Sequence, residues 1–275
     1  MEGIRGKNIV LNGKVAAASE YRTGAAVPVY YEVIRVMKGN FLFLDDHLER
    51  LLLSCKKAKA ECPDAESLKE GLRLLVSIEP MLDGNVKLQI YHRGANIESV
   101  CFFTPHFYPS ESDYRTGVVT RSYKFERPDP NIKRWNETFR ENVNRFIREE
   151  RIYEAILLSD KGTLTEGSRS NLFFIDLNNK IITAPQHIIL PGITRKYVLQ
   201  ICSELGLTIE ERALDISEAR SMQACFLSGT SPKVLPVCCL DQYSFDPIHP
   251  LVKELMVSFD RLIARNLEEK GGGTY

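Results

Sequence analysis

Short runs rich in β-branched and aromatic residues recur along the chain between turn residues, a pattern that predicts many strands. The first two, PVYYEVIRV at 28–36 and FLFL at 41–44, are joined by a turn at Gly39-Asn40. Two more strands are predicted at 85–94 and 98–107. Helices are predicted between these pairs, over 45–61, where apolar residues recur at helical spacing behind Asp45 and Asp46, and over 65–77.

A polar, turn-rich segment at 106–117 (HFYPSESDYRTG) predicts a domain linker. We therefore predict a small N-terminal domain at 1–112 and a larger, cofactor-binding domain at 113–275. In the second part, strands are predicted at 118–126, 154–159, 224–229 and 234–240, and helices at 142–150, 194–205, 216–223 and 250–266. A Pro-broken loop, RPDPNIK at 127–133, precedes the first of these helices.

Composition and charge exclude several classes of function. Lys plus Arg and Asp plus Glu both number 36, so the balance gives no support for nucleic acid or a membrane surface as a partner. The N-terminus lacks the apolar region of a signal peptide, and no apolar run is long enough to span a bilayer. The seven cysteines are scattered without a CxxC pair, which favours reduced thiols in the cytoplasm and predicts no metal site.

The segment 165–195 combines an acidic residue with a helix start. Glu166 stands before Gly167 in a turn that follows a predicted strand, where a carboxylate could face the ring nitrogen of a cofactor or could simply cap a surface turn. Farther on, Gly192 leads into a helix whose first amides, those of Ile193 and Thr194, could bind an anion. A plain helix cap at Thr194 explains the same pattern.

The other candidate functional residues can also be explained by ordinary structural roles. Thr230-Ser231 forms a hydroxyl-rich turn that could add phosphate donors. Arg50 lies one helical turn past His47 and could bind a phosphate, or could be a solvated surface Arg. Arg93, at the end of a strand, could hold a substrate carboxylate or be a surface charge. A lysine that forms a Schiff base must lie on a stable element beside the cofactor, and composition alone does not separate Lys133 from Lys161 or Lys196.

Together, and in this order, the motifs resemble the class IV (fold type IV) pyridoxal-phosphate-dependent aminotransferases. This family includes branched-chain aminotransferases, D-amino-acid aminotransferases and aminodeoxychorismate lyases. The matching motifs are Tyr31-Glu32-Val33, His47-x-x-Arg50-Leu51, Arg93-Gly94, Lys133-x-x-Asn136, TEGSRSN at 165–171, LPGITR at 190–195 and Thr230-Ser231. The combination is highly specific although each motif alone is weak.

The resemblance implies a fold, a cofactor and a set of roles. The fold would be α+β or α/β, with a small N-terminal α/β domain, a larger C-terminal β-barrel-like domain with helices, and the cofactor between them. Pyridoxal 5′-phosphate would be held by Lys133 as an aldimine, with Glu166 at the pyridine nitrogen. Its phosphate would be bound by Arg50, the amides of Ile193 and Thr194, and Thr230. Tyr31 and Arg93 would lie on the substrate side.

The resemblance also implies amino transfer between an amino acid, branched-chain or of D configuration, and a 2-keto acid, in a cytoplasmic homodimer. An aminodeoxychorismate lyase, which would eliminate pyruvate with the same Lys133 and Glu166, is the alternative. A non-catalytic homologue is a third hypothesis. Several departures from the family bear on the substrate. Glu137 and Thr138 follow Asn136, where many relatives carry an apolar or aromatic residue. Arg169 replaces a small residue, and the ANIES segment after Gly94 differs from the histidine-containing segment of D-amino-acid aminotransferases.

Overall fold

The computed structural model describes residues 3–22, 28–79, 81, 83–93 and 96–271. The chain divides into two compact units. The first contains Met1–Phe107, Ile132–Trp135 and Ile263–Tyr275, and the second contains Tyr108–Asn131 and Asn136–Leu262. Lys133 thus belongs to the first unit, whereas the border at 112/113 predicted from the linker assigns it to the second domain. The reason for the difference is that residues 132–135 return to an earlier strand, which a single border along the chain cannot represent.

The first unit is built on a six-stranded sheet in the order β2-β1-β6-β5-β3-β4, antiparallel throughout. Its strands are β1 (Arg5–Leu11), β2 (Lys14–Ala17), β3 (Val29–Met37), β4 (Asn40–Phe41), β5 (Gly84–Arg93) and β6 (Asn96–Thr104). Gly94, predicted at the end of β5, lies outside the described residues. The sequence analysis did not predict β1 and β2, and the predicted strand at 41–44 is mostly lost, because helix α1 (Leu44–Lys57) already begins at Leu44.

Alternation along the strands gives the sheet two different faces. Val86, Leu88 and Ile90 of β5 face a core that helices α1 and α2 (Ala65–Ile78) cover. The intervening residues Lys87 and Tyr91 face the other way, because successive side chains of a strand point to opposite faces. On β3 the same rule places Glu32 between Tyr30 and Ile34 on the helix-covered face, and Tyr31 on the opposite face.

The second unit is a closed barrel of six strands with extensions. Around the barrel the order is β10-β14-β15-β7-β8-β9, and β9 pairs with β10 through Glu166 and Asn171 to close it. The strands of this unit are β7 (Val118–Lys124), β8 (Glu154–Leu158), β9 (Thr163–Gly167), β10 (Asn171–Asp176), β11 (Ile181–Thr183), β12 (Ile209–Glu211), β13 (Leu214–Asp215), β14 (Met222–Gly229), β15 (Lys233–Leu240) and β16 (Tyr243–Ser244). This barrel confirms the expectation of a β-barrel-like C-terminal domain.

Four helices complete the structure: α3 (Glu111–Thr116), α4 (Glu137–Glu150), α5 (Ile193–Glu204) and α6 (Pro250–Gly271). Short 3-10 segments lie at Ala18–Glu20, Gln186–Ile188 and Ile216–Ser221. Helix α4 packs on β8 through Phe139 and Val143, which contact Ala155 and Leu157, while Ile156 points into the barrel. Among the described residues, no helix is both long and apolar enough to cross a membrane. All seven cysteines are free thiols.

Three helix predictions differ from the structure for local reasons. The predicted linker contains α3, whose N-terminus is fixed by reciprocal hydrogen bonds between Ser110 and Asp113. Helix α4 begins five residues earlier than predicted, because the Asn136 side chain accepts a hydrogen bond from the Phe139 amide and caps it. The predicted helix at 216–223 is only the 3-10 segment, since the chain joins β14 at Met222.

Candidate functional site

In the first unit, backbone hydrogen bonds hold Lys133 beside β3. The Tyr31 amide donates to the Lys133 carbonyl at 3.1 Å, and the Trp135 amide donates to the Val29 carbonyl at 2.8 Å. The Lys133 amide donates in turn to Oγ of Ser54 on α1, at 3.2 Å. The backbone of Lys133 is therefore fixed to both a strand and a helix, which is the stable placement that a lysine nucleophile requires.

Beneath this segment lies a buried ion pair. Glu32 is fully buried on the helix-covered face of β3, and Arg50 of α1 donates to both of its carboxylate oxygens, Nε at 2.7 Å and Nη2 at 2.6 Å. His47, one turn earlier on α1, contacts the second oxygen through Nδ1 at 2.8 Å. Ser54, one turn after Arg50, completes a stripe of polar residues on one face of α1.

The titration of this cluster follows from its burial and its charges. Burial alone would raise the pKa of Glu32, but the charge of Arg50 and the hydrogen bonds from His47 and Arg50 hold it well below its usual range. Burial lowers the pKa of His47; the hydrogen bond to Glu32 and its negative charge oppose this effect, the positive charges of Arg50 and Lys133 add to it, and the net shift is downward. Glu32 is therefore ionised and His47 is neutral, so that His47 donates its Nδ1 proton to the carboxylate.

On the opposite face of the sheet, aromatic rings surround two ammonium groups. The Lys133 Nζ lies 4.8 Å from the centroid of the Tyr31 ring. The Lys87 Nζ lies 5.1 Å from the same centroid and 3.8 Å from that of Trp135, whose ring meets Tyr31 edge-on. Lys87 is only 1% exposed. Tyr31 and Lys133, both predicted from sequence, are thus brought together, and Lys87 is an addition that the sequence analysis missed.

Arg93 has a different environment. Its Nε donates to Glu98 of β6 at 2.8 Å, and both side chains are about one third exposed. Its Nη2 donates to the carbonyl of Arg22 at 3.2 Å. Glu98 belongs to the ANIES segment that the sequence analysis identified as a departure from the D-amino-acid aminotransferases, so this departure gives Arg93 a carboxylate partner within the protein itself.

In the second unit, Glu166 is held by two donors. Arg127 Nε donates to one carboxylate oxygen at 2.6 Å, and the Leu190 amide donates to the other at 3.2 Å. Glu166 is only 3% exposed. An ionised carboxylate only accepts hydrogen bonds and can accept about four of them, which suits Glu166 to binding N–H groups. Arg127, in the Pro-broken loop, was not predicted, because its partner lies 39 residues away in the sequence.

A second buried carboxylate shapes the turn that follows Glu166. Glu154 of β8 accepts hydrogen bonds from the hydroxyls of Ser168 at 2.6 Å and Ser170 at 3.1 Å, and from the Arg169 amide at 3.2 Å. The side chain of Arg169 is exposed and bonds to Asn144 of α4. The Ser-Arg-Ser turn is therefore anchored through its two serines, while the arginine points to the surface of its own unit.

The start of α5 provides donors for an anion. Its N-cap is Gly192, and within the part of the chain that the structure describes no side chain caps it. The first amides, including those of Ile193 and Thr194, have no intrahelical acceptor by the geometry of a helix. Asn171 packs so closely on Gly192 that a Cβ there would overlap its side-chain oxygen, and the Asn171 Nδ2 donates to the Leu190 carbonyl at 2.9 Å.

Ser228 lies beside these residues in the barrel wall. It pairs with Asn171 across β10 and β14, and its hydroxyl is buried with no hydrogen-bond partner among the described residues. Thr230 follows in the turn between β14 and β15. An orphaned buried hydroxyl near an uncapped helix start is the arrangement that an anionic group would satisfy.

Residues 30–239 match the model of the class IV amino-transferase family. This range covers most of the chain and includes every candidate residue described above. The chain belongs to the class IV aminotransferases. Class IV aminotransferases are pyridoxal-phosphate enzymes, so this aminotransferase uses pyridoxal 5′-phosphate and acts on amino acids and keto acids. Among the described residues, no group of three or more His, Cys, Asp or Glu could hold a metal ion.

Comparison with individual proteins supports this assignment. The class IV aminotransferase is 32% identical to the D-alanine aminotransferase of Bacillus licheniformis over 256 residues, which are 85% of this chain and 88% of the relative. Its fold matches a branched-chain aminotransferase of the archaeon Thermoproteus uzoniensis, solved with norvaline, with a TM-score of 0.83 and 22% identity over 95% of this chain and 96% of that one. A Legionella pneumophila structure named as a putative 4-amino-4-deoxychorismate lyase also matches, with a TM-score of 0.75 and 22% identity over 85% of this chain and 90% of that one.

The Glu32 cluster predicts acid-sensitive stability. We expect Glu32→Gln to lower the free energy of unfolding by about 3 kcal/mol at neutral pH, because it leaves the buried Arg50 without its counter-charge. The depressed pKa of Glu32 means that its contribution is present above the ordinary value of 4.5 and is lost as the pH falls below it. Urea unfolding at several pH values should therefore show a constant difference from wild type above about pH 5, shrinking in more acidic buffer.

The control is Glu66→Gln on the exposed side of α2, which should show no such difference. A Glu32→Gln protein as stable as wild type at neutral pH would contradict the interpretation.

Proposed function

We propose that this aminotransferase transfers the amino group of a branched-chain or D-amino acid to a 2-keto acid, with Lys133 as the residue that carries the cofactor. The observation that carries the proposal is the fixation of Lys133 beside Tyr31, by one backbone bond to β3 and one to Ser54 of α1. A lysine held on rigid elements among aromatic rings and with its ammonium at the Tyr31 ring is suited to leave and rejoin a cofactor in a defined direction.

The donor set fits the parts of the cofactor. Glu166, fixed by Arg127 and Leu190, would accept a hydrogen bond from the protonated ring nitrogen. The amides of Ile193 and Thr194, together with Thr230, would bind the phosphate. The phosphate-binding role of Arg50 stays a prediction from the sequence, and in the first unit its Nε and Nη2 donate to Glu32. Bound pyridoxal phosphate supplies an aldehyde that condenses with amines and a ring that accepts the electron pair released at the substrate Cα.

Lys133 would act as the acid and base of the reaction. The amine of Lys133, when it is free, would take the proton from the substrate Cα as a base and would then donate it again as an acid. Because its backbone bonds do not involve the side chain, the amine can move between these two proton transfers while its Cα stays fixed.

Two features bear on the substrate. The likeness to a D-alanine aminotransferase favours a small D-amino acid, and the branched-chain alternative remains, because the ANIES segment departs from the D-amino-acid aminotransferases. Aminodeoxychorismate lyase is the alternative function, since the same lysine and glutamate could serve an elimination of pyruvate. The cytoplasmic location and the absence of nucleic-acid and membrane partners stay predictions from the sequence.

The assignment of Lys133 predicts where the cofactor is attached. Borohydride reduction of the holoenzyme should fix the cofactor to Lys133, because reduction converts a lysine-cofactor linkage into a stable amine. Peptide mass analysis should find the added mass on the peptide that contains Lys133 and nowhere in Lys133→Ala. Lys196→Ala, which removes a lysine that composition alone does not separate from Lys133, should keep the label. A label on a different lysine would show that the assignment is wrong.

Amino transfer and pyruvate elimination differ in whether turnover requires an added keto acid. We expect pyruvate or 2-oxoglutarate to be required for sustained turnover of D-alanine, L-leucine or their enantiomers, because a transaminase must return its cofactor to the starting form. Coupled assays of keto-acid formation from each of these amino acids would measure this requirement. Release of pyruvate from aminodeoxychorismate without any added keto acid would instead establish the lyase.

We also propose a homodimer, on the basis of the family resemblance. Sedimentation at assay concentrations should give a mass near twice the 31.3 kDa of one chain. The measurement would be repeated with the holoenzyme and with the cofactor removed, to separate assembly from cofactor loading. A fully active monomer would contradict the proposal.

A further inference from the structure

Two of the seven free thiols, those of Cys55 and Cys62, are hydrogen-bonded to each other in the first unit. Cys55 lies in the last turn of α1, and only 1% of its surface is exposed. Cys62 lies in the connection between α1 and α2, where it packs against the same hydrophobic core and is partly exposed. A buried thiol is therefore in direct contact with a thiol that a small solute can reach.

The way in which α1 ends brings the two thiols together. The Ala60 amide donates to the Cys55 carbonyl at 2.9 Å, and the Lys59 amide donates to the Lys56 carbonyl at 3.0 Å. Lys59 has a left-handed backbone conformation, with a φ of 54°. These bonds form a Schellman motif, which reverses the chain at the C-terminus of a helix. The chain that leaves α1 therefore turns back, and Cys62 meets Cys55.

The contact makes the two thiols chemically unequal. The hydrogen bond from the Cys55 thiol lowers the pKa of Cys62, although partial burial opposes this effect. The same hydrogen bond, together with burial and the negative charge of an ionised Cys62, raises the pKa of Cys55. Because the thiolate is the reactive form of cysteine, Cys62 is the nucleophile of the pair and Cys55 is its protonated neighbour.

Other cysteines of the chain lack this activation. Cys101, Cys202 and Cys225 are buried, and burial raises the pKa of each thiol, to about 12 for the first two. Cys238 is partly exposed, but burial and the neighbouring Cys239 raise its pKa as well. A reachable thiol of lowered pKa beside a second thiol is the arrangement of cysteines that react with oxidants.

We propose that Cys55 and Cys62 form an oxidation site, at which hydrogen peroxide converts the two thiols into a disulfide. The Cys62 thiolate attacks one peroxide oxygen, the O–O bond breaks, and a sulfenic acid and hydroxide result. The Cys55 sulfur then attacks the Cys62 sulfur and loses its proton, the S–S bond forms, and the sulfenic oxygen leaves as water. Overall, the two thiols lose two electrons and two protons, and the peroxide becomes two water molecules. A dithiol reductant reverses the change by thiol–disulfide exchange.

The position of the pair connects it to the lysine segment. Ser54, whose Oγ accepts the hydrogen bond from the Lys133 amide, directly precedes Cys55. Cys62 lies outside the helix, so the S–S bond joins the α1–α2 connection to α1 one residue from this contact. The oxidation step itself involves neither the cofactor nor a substrate, so its test is independent of the proposed amino transfer.

Peptide mapping of the full-length holoenzyme tests for the disulfide. The folded protein would be treated with hydrogen peroxide, blocked with N-ethylmaleimide and digested with trypsin in the absence of reductant. Trypsin cleaves after Lys56, Lys57 and Lys59, so the two cysteines lie on separate peptides, 51–56 and 60–69. We expect oxidation to join these peptides and to lower the number of free thiols from seven to five. Dithiothreitol should separate them again.

Two serine variants separate the roles of the two thiols. In Cys55→Ser the new hydroxyl can still donate to Cys62, so peroxide should leave a sulfenic acid on Cys62 that dimedone labels. In Cys62→Ser, we expect labelling of Cys55 to be about tenfold or more slower, because its thiol is buried and protonated. Cys238→Ser, which removes another partly exposed thiol, is the matched control and should form the disulfide at the wild-type rate.

Peptides 51–56 and 60–69 that stay unlinked in peroxide-treated wild type would overturn the proposal, whether or not the variants fold. A disulfide to a different cysteine would do the same. So would linkage of the two peptides only after unfolding in urea, because the proposed reaction depends on the contact in the folded chain. Faster dimedone labelling of Cys55 than of Cys62 would contradict the assigned order of attack.

Discussion

The position of Lys133 in the first unit depends on one interaction, the buried ion pair between Glu32 and Arg50. Strand alternation places the Glu32 carboxylate on the helix-covered face of β3, where only a charged partner can compensate its burial. Arg50 and His47 supply that compensation and thereby fix the rotation of α1 against the strand. With α1 in this orientation, Ser54 reaches the Lys133 amide. One ion pair thus sets the position of the lysine segment.

The second unit uses buried carboxylates in the same way. Glu154 and Glu166 lie on neighbouring strands, and each organises a different part of the barrel rim. Glu154 binds the two serines of the turn, whereas Glu166 binds Arg127 and the Leu190 amide. The barrel closes at the pairing of Glu166 with Asn171, and Asn171 packs on Gly192. Glu166, the candidate partner of the ring nitrogen, and the start of α5, the candidate anion site, are therefore both connected to the strand pair that closes the barrel.

Local sequence signals predicted most of the regular elements. The strands β3, β5, β6, β8, β14 and β15 and the helices α1, α2 and α5 were predicted because their apolar periodicity is strong. The short or polar strands β1 and β2 and the helix α3 were missed, because tertiary pairing and a capping box, rather than periodicity, stabilise them. Among the site residues, Glu32 was identified only as part of the Tyr31-Glu32-Val33 motif, and Lys87 and Arg127 had no local signal, since their partners are distant in the sequence.

The sequence by itself determined the family, the cofactor and the order of the candidate residues, because these depend on short motifs whose chemistry is local: a glycine-led helix start, a turn with a glutamate, and a lysine three residues before a helix cap. Only the tertiary structure decided which charges are paired. Arg50 and Arg93 look alike in the sequence, yet one is buried against Glu32 and the other meets Glu98 near the surface. Sheet register and burial, which no short motif encodes, make that difference.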